Sequence, residues 1–281
     1  MKKILLMILF LLTACASQSS QSTNGFTDEK GVEMVLIPAG EFTMGSDAKC
    51  EDYKEDCSPD RFVFENPPHS VNLDAYYIDK YEVTNASWME CVDAGECQAP
   101  TKLASATRSD YYGNPLFDNY PVVFVSWTMA WRYCEWRGAR LPTEAEWEKA
   151  ARGADGNDYP WGNEFDGSLA NFCDKNCEYS FADSEFDDGY NDTSPVGAYP
   201  EGASSYGIHD MAGNVFEWVN SHMMPYPYDA DDGREALVPA SRVLRGGSFG
   251  ESYYNLRTTS RTMAPPDTSF YFIGFRCAAS L

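Results

Sequence analysis

Nine cysteines are spread along this 281-residue chain, and they limit its fold and its compartment more than any other feature. A reducing cytosol keeps thiols free, so a count this high points outside it. Cys15 stands apart from the rest, close to the start. The other eight are Cys50, Cys57, Cys91, Cys97, Cys134, Cys173, Cys177 and Cys277. An even number in an exported chain implies disulfides, although eight cysteines allow 105 pairings. Proximity suggests Cys50–Cys57, Cys91–Cys97 and Cys173–Cys177, which leaves Cys134 with Cys277 across half the chain. A zinc site is the rival, with only three histidines and no paired C-x-x-C motif to support it.

The N-terminus accounts for Cys15. Met1-Lys2-Lys3 is basic, Ile4 to Leu12 is an unbroken apolar run, and small residues follow. The run is too short for a bilayer, which takes ~20 apolar residues, and the pattern is that of an export signal. Leu12-Thr13-Ala14-Cys15 resembles a bacterial lipobox. That resemblance implies a signal peptide over 1–14 and an acylated Cys15, and so a membrane partnership through lipid. Ala16 after the cysteine resembles outer-membrane sorting, with the protein facing periplasm or surface. A flexible tether is expected over 15–30, since Ala16 to Gly25 carries no aromatic or β-branched run.

Charge narrows the partners. With 43 Asp+Glu against 21 Lys+Arg the formal net charge is −22, and no basic cluster exists to meet nucleic acid or an anionic membrane. Hydrophobic residues at 43% and aromatics at 15% suffice for a packed core, so disorder is excluded. One domain over 31–281 is the economical reading, with no linker composition and no internal repeat.

Local signals place a few elements. Gly31 to Met44 predicts a strand and a turn at Pro38-Ala39-Gly40, and the alternation over Val71 to Val83 predicts another strand. A helix is expected from Thr84-Asn85 to about Val92. Pro121 to Val125 is a short β-branched run, and Ser126 then N-caps a helix carrying Trp127, Ala130, Trp131 and Cys134 at helical spacing. Thr143-Glu144-Ala145-Glu146 fits a capping box for a third helix, ended by Arg152-Gly153. Beyond that the chain is rich in Gly, Asn, Asp, Pro and aromatics, without helical period. The class is α+β with little regular structure.

Six segments in order carry a family resemblance: IPAGEFTMGS (Ile37 to Ser46), YIDKYEVTN (Tyr77 to Asn85), RLPTEAEWEKAARG (Arg140 to Gly153), YGIHDMAGNVFEW (Tyr206 to Trp218), VLRGGSF (Val243 to Phe249) and GFRCA (Gly274 to Ala278). The set resembles the sulfatase-modifying factor, or formylglycine-generating enzyme, family. The resemblance implies a single C-type-lectin-like domain stabilised by disulfides and calcium, with Cys134 paired to Cys277. It also implies about two calcium ions. The first matches Asn171, the Phe172 carbonyl, Asp188 and the Tyr190 carbonyl, within an acidic stretch from Glu164 to Asp192. The second matches Gly213, Asn214, Val215 and Glu217. Flexible acidic loops supply the oxygen ligands that calcium takes. Glu217, between Phe216 and Trp218, is expected to need a cation if buried.

The family's enzymes oxidise a client cysteine with two thiolates that hold copper(I), a soft ion suited to sulfur. Here RGGSFGESYYNLRTTSR (Arg245 to Arg261) has no cysteine, and the family positions fall near Gly250, Glu251 and Leu256. No catalytic residue and no copper site is therefore assigned. Other cleft positions match the family or lie in the same stretch: Glu82, Trp218, Ser248, Phe249, Glu251, Tyr253, Arg257 and Arg261. The family's asparagine before GFRC falls at Phe272. Gly246-Gly247-Ser248-Phe249-Gly250 satisfies G-x-S-x-G, but no histidine follows His222 and no helix is predicted after it, so it reads as a turn. His69 and His209 read as structural, and His222 with Met223 and Met224 reads as loop filler rather than a soft-metal site. The expected function is a binding or scaffold module of the cell envelope, taking an envelope protein or peptide in its cleft. The alternatives are an oxidoreductase of the same family and a lectin-like surface-display protein.

Overall fold

A computed structural model describes residues 25–53, 57 and 59–281. The predicted export signal, Cys15 and the tether up to residue 24 lie outside these residues. Ten short strands, four short helices and long irregular stretches make up what is described.

The first sheet has the order β1-β2-β5-β10, formed by β1 (Gly25–Thr27), β2 (Glu33–Ile37), β5 (Tyr76–Asp79) and β10 (Ala278–Ser280), all antiparallel. The tether therefore ends earlier than the sequence suggests. Phe26 pairs with Met34 and packs edge-on against Tyr77 at 4.6 Å, which draws residues 25–27 into the sheet. β3 (Gly40–Met44) follows β2 after the Pro38-Ala39 turn and pairs with β4 (His69–Leu73) in a separate two-stranded ribbon. The predicted strand over Val71 to Val83 is thus two strands. They break at Asp74-Ala75, where the chain leaves one sheet for another. Between β3 and β4 lies α1 (Pro59–Val63).

The helices start where their caps predict. Thr84 accepts from Ser87 N at the head of α2 (Asn85–Asp93), and Ser126 accepts from Met129 N at the head of α3 (Trp127–Trp136). Thr143 and Glu146 close a reciprocal capping box on α4 (Glu144–Arg152). Helices of this length are marginal in water alone, so packing must hold them. Pro121 to Val125 is buried but forms no strand; Pro121 makes a single bridge to Thr84.

The third sheet, order β8-β7-β6-β9, contains β6 (Phe216–His222), β7 (Arg242–Arg245), β8 (Thr262–Ala264) and β9 (Ile273–Phe275). α3 packs on this sheet. Trp88 stacks on Tyr133 at 5.3 Å, and Phe275 meets both rings edge-on. Each such side chain contributes ~1.5–3 kcal/mol by leaving water. The Cys134–Cys277 bond lies inside this cluster, with both cysteines fully buried. Cys50–Cys57, Cys91–Cys97 and Cys173–Cys177 also pair, so the zinc alternative is set aside.

α4 is the mechanical centre. All nine of its residues are buried, charged ones included. Its carboxylates face arginines that arrive from β7 and the stretch after it. Glu144 takes Arg261 through two bonds of 2.6 and 2.7 Å. Glu148 takes Arg245, Arg152 at 3.0 Å and the Gly45 amide at 2.7 Å. Beside them, Glu65 holds Arg257 through two bonds of 2.7 Å. Buried charges need such partners, because the unpaired ion loses its hydration with nothing in return.

Candidate functional site

β7 runs out into Gly246-Gly247, both at positive φ (88° and 75°), and the chain folds back on itself. A Cβ at Gly247 would sit 2.5 Å from the Leu256 side chain, so glycine is required there. The turn aims Ser248 inward, where it is 2% exposed, and brings Phe249 and Gly250 to the surface of a cleft. Phe249 N donates to the Asn214 carbonyl and Cys173 N to the Glu251 carbonyl, which fixes the stretch to its neighbours.

The cleft holds about 260 Å³. One wall is Phe249 and Gly250. The Cys173–Cys177 loop supplies Asn176, Cys177, Glu178 and Tyr179 opposite. Tyr190, Asn191, Tyr271, Ala106 and Thr107 complete it. Phe249 and Tyr271 lie 6.2 Å apart between centroids. Tyr253, expected in the same site, lines an adjoining cavity of about 270 Å³ with Cys173 and Phe181.

The residues near which the family's thiolates are expected carry other chemistry. The Glu251 carboxylate accepts from Asn255 Nδ2 at 2.7 Å and from Arg61 Nη1 at 3.2 Å. Leu256 is fully buried against Tyr159, Ala170 and Phe172. Among the described residues all eight cysteines are in disulfides. The G-x-S-x-G stretch is followed by a three-residue 3-10 turn, Tyr253–Asn255, not a helix.

Of the eight residues expected in the cleft only Phe249 lines it; besides Ser248, Glu251 and Tyr253, four more lie elsewhere. Arg257 and Arg261 are buried in the ion pairs with Glu65 and Glu144, out of reach of a ligand. Trp218 is fully buried, its indole N–H donating to the Val125 carbonyl. Glu82 is 2% exposed and accepts from Asn214 Nδ2 and Val215 N. Tyr179 and Tyr271 were not foreseen, and Tyr190 was named only for its carbonyl in the first calcium set. A local signal did exist for Tyr179, which lies two residues beyond Cys177 in a loop that the short disulfide holds compact.

The two expected calcium sets differ in fit. In the first, Asn171 is 1% exposed, its Nδ2 donates to the Asp192 carbonyl, and its Oδ1 has no partner. Asp188 accepts from Phe172 N and Tyr190 N, and no lysine or arginine pairs with it among the described residues. Burial, with Asp174 beside it, pushes its carboxyl up to about 7. An orphaned amide oxygen and an uncompensated carboxylate next to backbone carbonyls suit a hard cation. Gly213 shapes the same spot: its φ is 86°, and a Cβ there would lie 2.1 Å from the Asn171 carbonyl oxygen.

The second set does not fit as read from the sequence. Glu217 needs no metal ion, because Arg276 grips both its oxygens at 2.7 Å and Trp147 Nε1 donates at 2.8 Å. The Asn214 oxygen already accepts from Ser194 N and Asn171 Nδ2. The surplus negative charge falls on Glu82 and on Asp210, a residue the sequence reading passed over. Burial and the Glu217 carboxylate push Asp210 up to about 6. Among the described residues, no three His, Cys, Asp or Glu side chains converge as metal ligands.

Comparison with known proteins agrees with this architecture. The model of the sulfatase-modifying factor enzyme 1-like domain matches residues 20–281. The formylglycine-generating enzyme of Thermomonospora curvata is 35% identical, over 88% of this chain and 93% of that one. The inactive C-alpha-formylglycine-generating enzyme 2 of Mus musculus is 32% identical over 88% and 85%. The solved structure of PvdO from Pseudomonas aeruginosa superposes with a TM-score of 0.71 at 28% identity, covering 94% of this chain and all of that one. With a family match over nearly its whole length and relatives of this identity, the chain belongs to the sulfatase-modifying factor enzyme 1-like domain family.

Proposed function

We propose that this chain is an envelope-anchored lipoprotein whose domain binds a ligand in the cleft at Phe249 and Gly250, without copper-dependent thiol oxidation. The observation that carries this reading is the replacement of the thiolate pair. Glu251 is engaged by Asn255 and Arg61, Leu256 is core, and the described cysteines are paired. Without a free thiolate pair the ligands with which the family holds copper(I) are missing. Similarity to a relative named as inactive supports the same conclusion. With copper(I), air and a cysteine-containing peptide, the full chain is expected to give neither aldehyde nor oxygen uptake above buffer. Aldehyde formation would establish the second reading, an oxidoreductase, which the identity to named formylglycine-generating enzymes favours.

The anchor rests on Leu12-Thr13-Ala14-Cys15. The chain is expected in the membrane fraction and Cys15→Ala in the soluble fraction; equal partitioning of the two refutes acylation. Among the described residues no helix is long and apolar enough to cross a membrane.

Calcium is proposed at the first set, held by Asn171 Oδ1, the Asp188 carboxylate and the Phe172 and Tyr190 carbonyls. A bound cation supplies the positive charge that Asp188 lacks. A ligand of the folded state alone stabilises it by about 2.7 kcal/mol at a hundredfold excess over Kd. EDTA is expected to lower the melting temperature of the chain, calcium to restore it, and Asp188→Asn to abolish the difference. A melting temperature indifferent to both reagents rules the site out.

A further inference from the structure

We infer that the cleft selects an organic cation, a quaternary ammonium or alkylammonium group, and this rests on the ligand-binding reading above. Its lining includes four aromatic side chains, Tyr179, Tyr190, Phe249 and Tyr271, and one charged residue, Glu178. No lysine or arginine lines it. The faces of aromatic rings carry partial negative charge and attract cations within about 6 Å, most strongly where water is excluded. A carboxylate beside such rings adds a second attraction of the same sign. Glu178, the one charged side chain of the lining, repels an anion, and the formal charge of −22 on the chain adds to that.

Size agrees with charge. A cleft of about 260 Å³ admits one compact head group rather than an extended chain. The rest of the molecule shows what these rings are not doing. Elsewhere arginines already cover aromatic faces: Arg242 lies 3.9 Å over Trp127, Arg261 4.0 Å over Tyr226 and Arg257 4.3 Å over Phe62. The four rings of the cleft have no protein cation over them among the described residues. Gly250 keeps the floor open. A Cβ there would touch only Tyr179 Cε2 at 3.5 Å and Ser248 Oγ at 4.0 Å, so a side chain is tolerated by the backbone but enters the cleft.

Choline and 3,3-dimethylbutan-1-ol have the same shape and differ in charge, and both can be titrated calorimetrically into the full chain, with methyl glucoside as a neutral ring. Choline is expected to bind at least about tenfold more tightly than its neutral isostere. Tyr179→Leu, at a side chain 50% exposed, and Glu178→Gln are each expected to weaken choline about five- to tenfold at unchanged melting temperature. Gly250→Phe is expected to abolish binding. Equal binding of choline and the isostere, or choline binding that survives Gly250→Phe, overturns the inference. If the isostere or the glucoside binds at least as tightly as choline and Gly250→Phe removes that binding, the cation inference falls and the cleft reading stands. If none of the three binds, both fall.

Discussion

Replacing Cys134 and Cys277 together by alanine is expected to remove up to about 5 kcal/mol of stability, the largest loss expected from opening any of the four disulfides. The bond spans 143 residues, and in the chain-entropy picture the constraint on the unfolded state grows with the loop it closes. Cys91–Cys97 spans 6, for which the same relation gives about 2 kcal/mol. The long bond joins α3 to the turn between β9 and β10, so it ties the helix to both four-stranded sheets at once. Both sulfurs lie in the Trp88–Tyr133–Phe275 cluster, and alanine leaves small voids without burying an unsatisfied hydroxyl there. Urea unfolding of Cys134→Ala/Cys277→Ala beside Cys91→Ala/Cys97→Ala measures the difference. Equal losses would refute the long loop as the source of stability.

That long bond was legible in the sequence, and the reason is chemical. Cysteine pairs are few, and once the three near neighbours combine only one partner remains. Helix starts were legible because caps act over three residues: Thr84, Ser126 and Thr143 each meet an amide of the next turn. What was hidden is non-local. Period-two alternation over Val71 to Val83 cannot reveal that β4 and β5 belong to different sheets. Arg257 and Arg261 look like contact residues in a polar, aromatic loop. Their acids, Glu65 and Glu144, are 192 and 117 residues away, and nothing in the local pattern links them. Glu217 was read as a carboxylate in want of a metal ion for the same reason, since Arg276 lies 59 residues downstream. Asn171 and Asp188 were named through the resemblance as calcium ligands, and the fold brings them to one spot with Gly213. The tyrosines of the cleft come from three separate stretches that only the fold brings together.

Glu148→Gln is expected to cost about 3–5 kcal/mol, the usual range when one partner of a buried ion pair is removed. The substitution preserves shape and takes away one charge. Arg245, fully buried, then has only Glu144 at 3.5 Å, an acid already gripped by Arg261. Arg152 loses its carboxylate at 3.0 Å, and the Gly45 amide its anionic acceptor. The exposed pair Lys80–Glu33 sets the contrast: Glu33→Gln is expected to change stability by less than about 1 kcal/mol, because water solvates both ions once they part. Removing the Arg245 charge as well, as Glu148→Gln/Arg245→Met, is expected to cost less than Glu148→Gln alone, since Arg245 is then no longer a buried ion short of a carboxylate while the glutamine oxygen still accepts from Arg152 and the Gly45 amide. A double variant less stable than the single one would show that the pair adds net stability beyond its own desolvation. The consequence reaches the cleft. Arg245 ends β7 immediately before Gly246-Gly247, and its guanidinium also donates to the Ser260 carbonyl at 2.6 Å. Glu148 therefore pins both ends of the segment that carries Phe249 and Gly250. Ligand affinity in the cleft should fall in Glu148→Gln at temperatures where the domain is still folded, and recover in the double variant if the methionine fills the place of the Arg245 side chain.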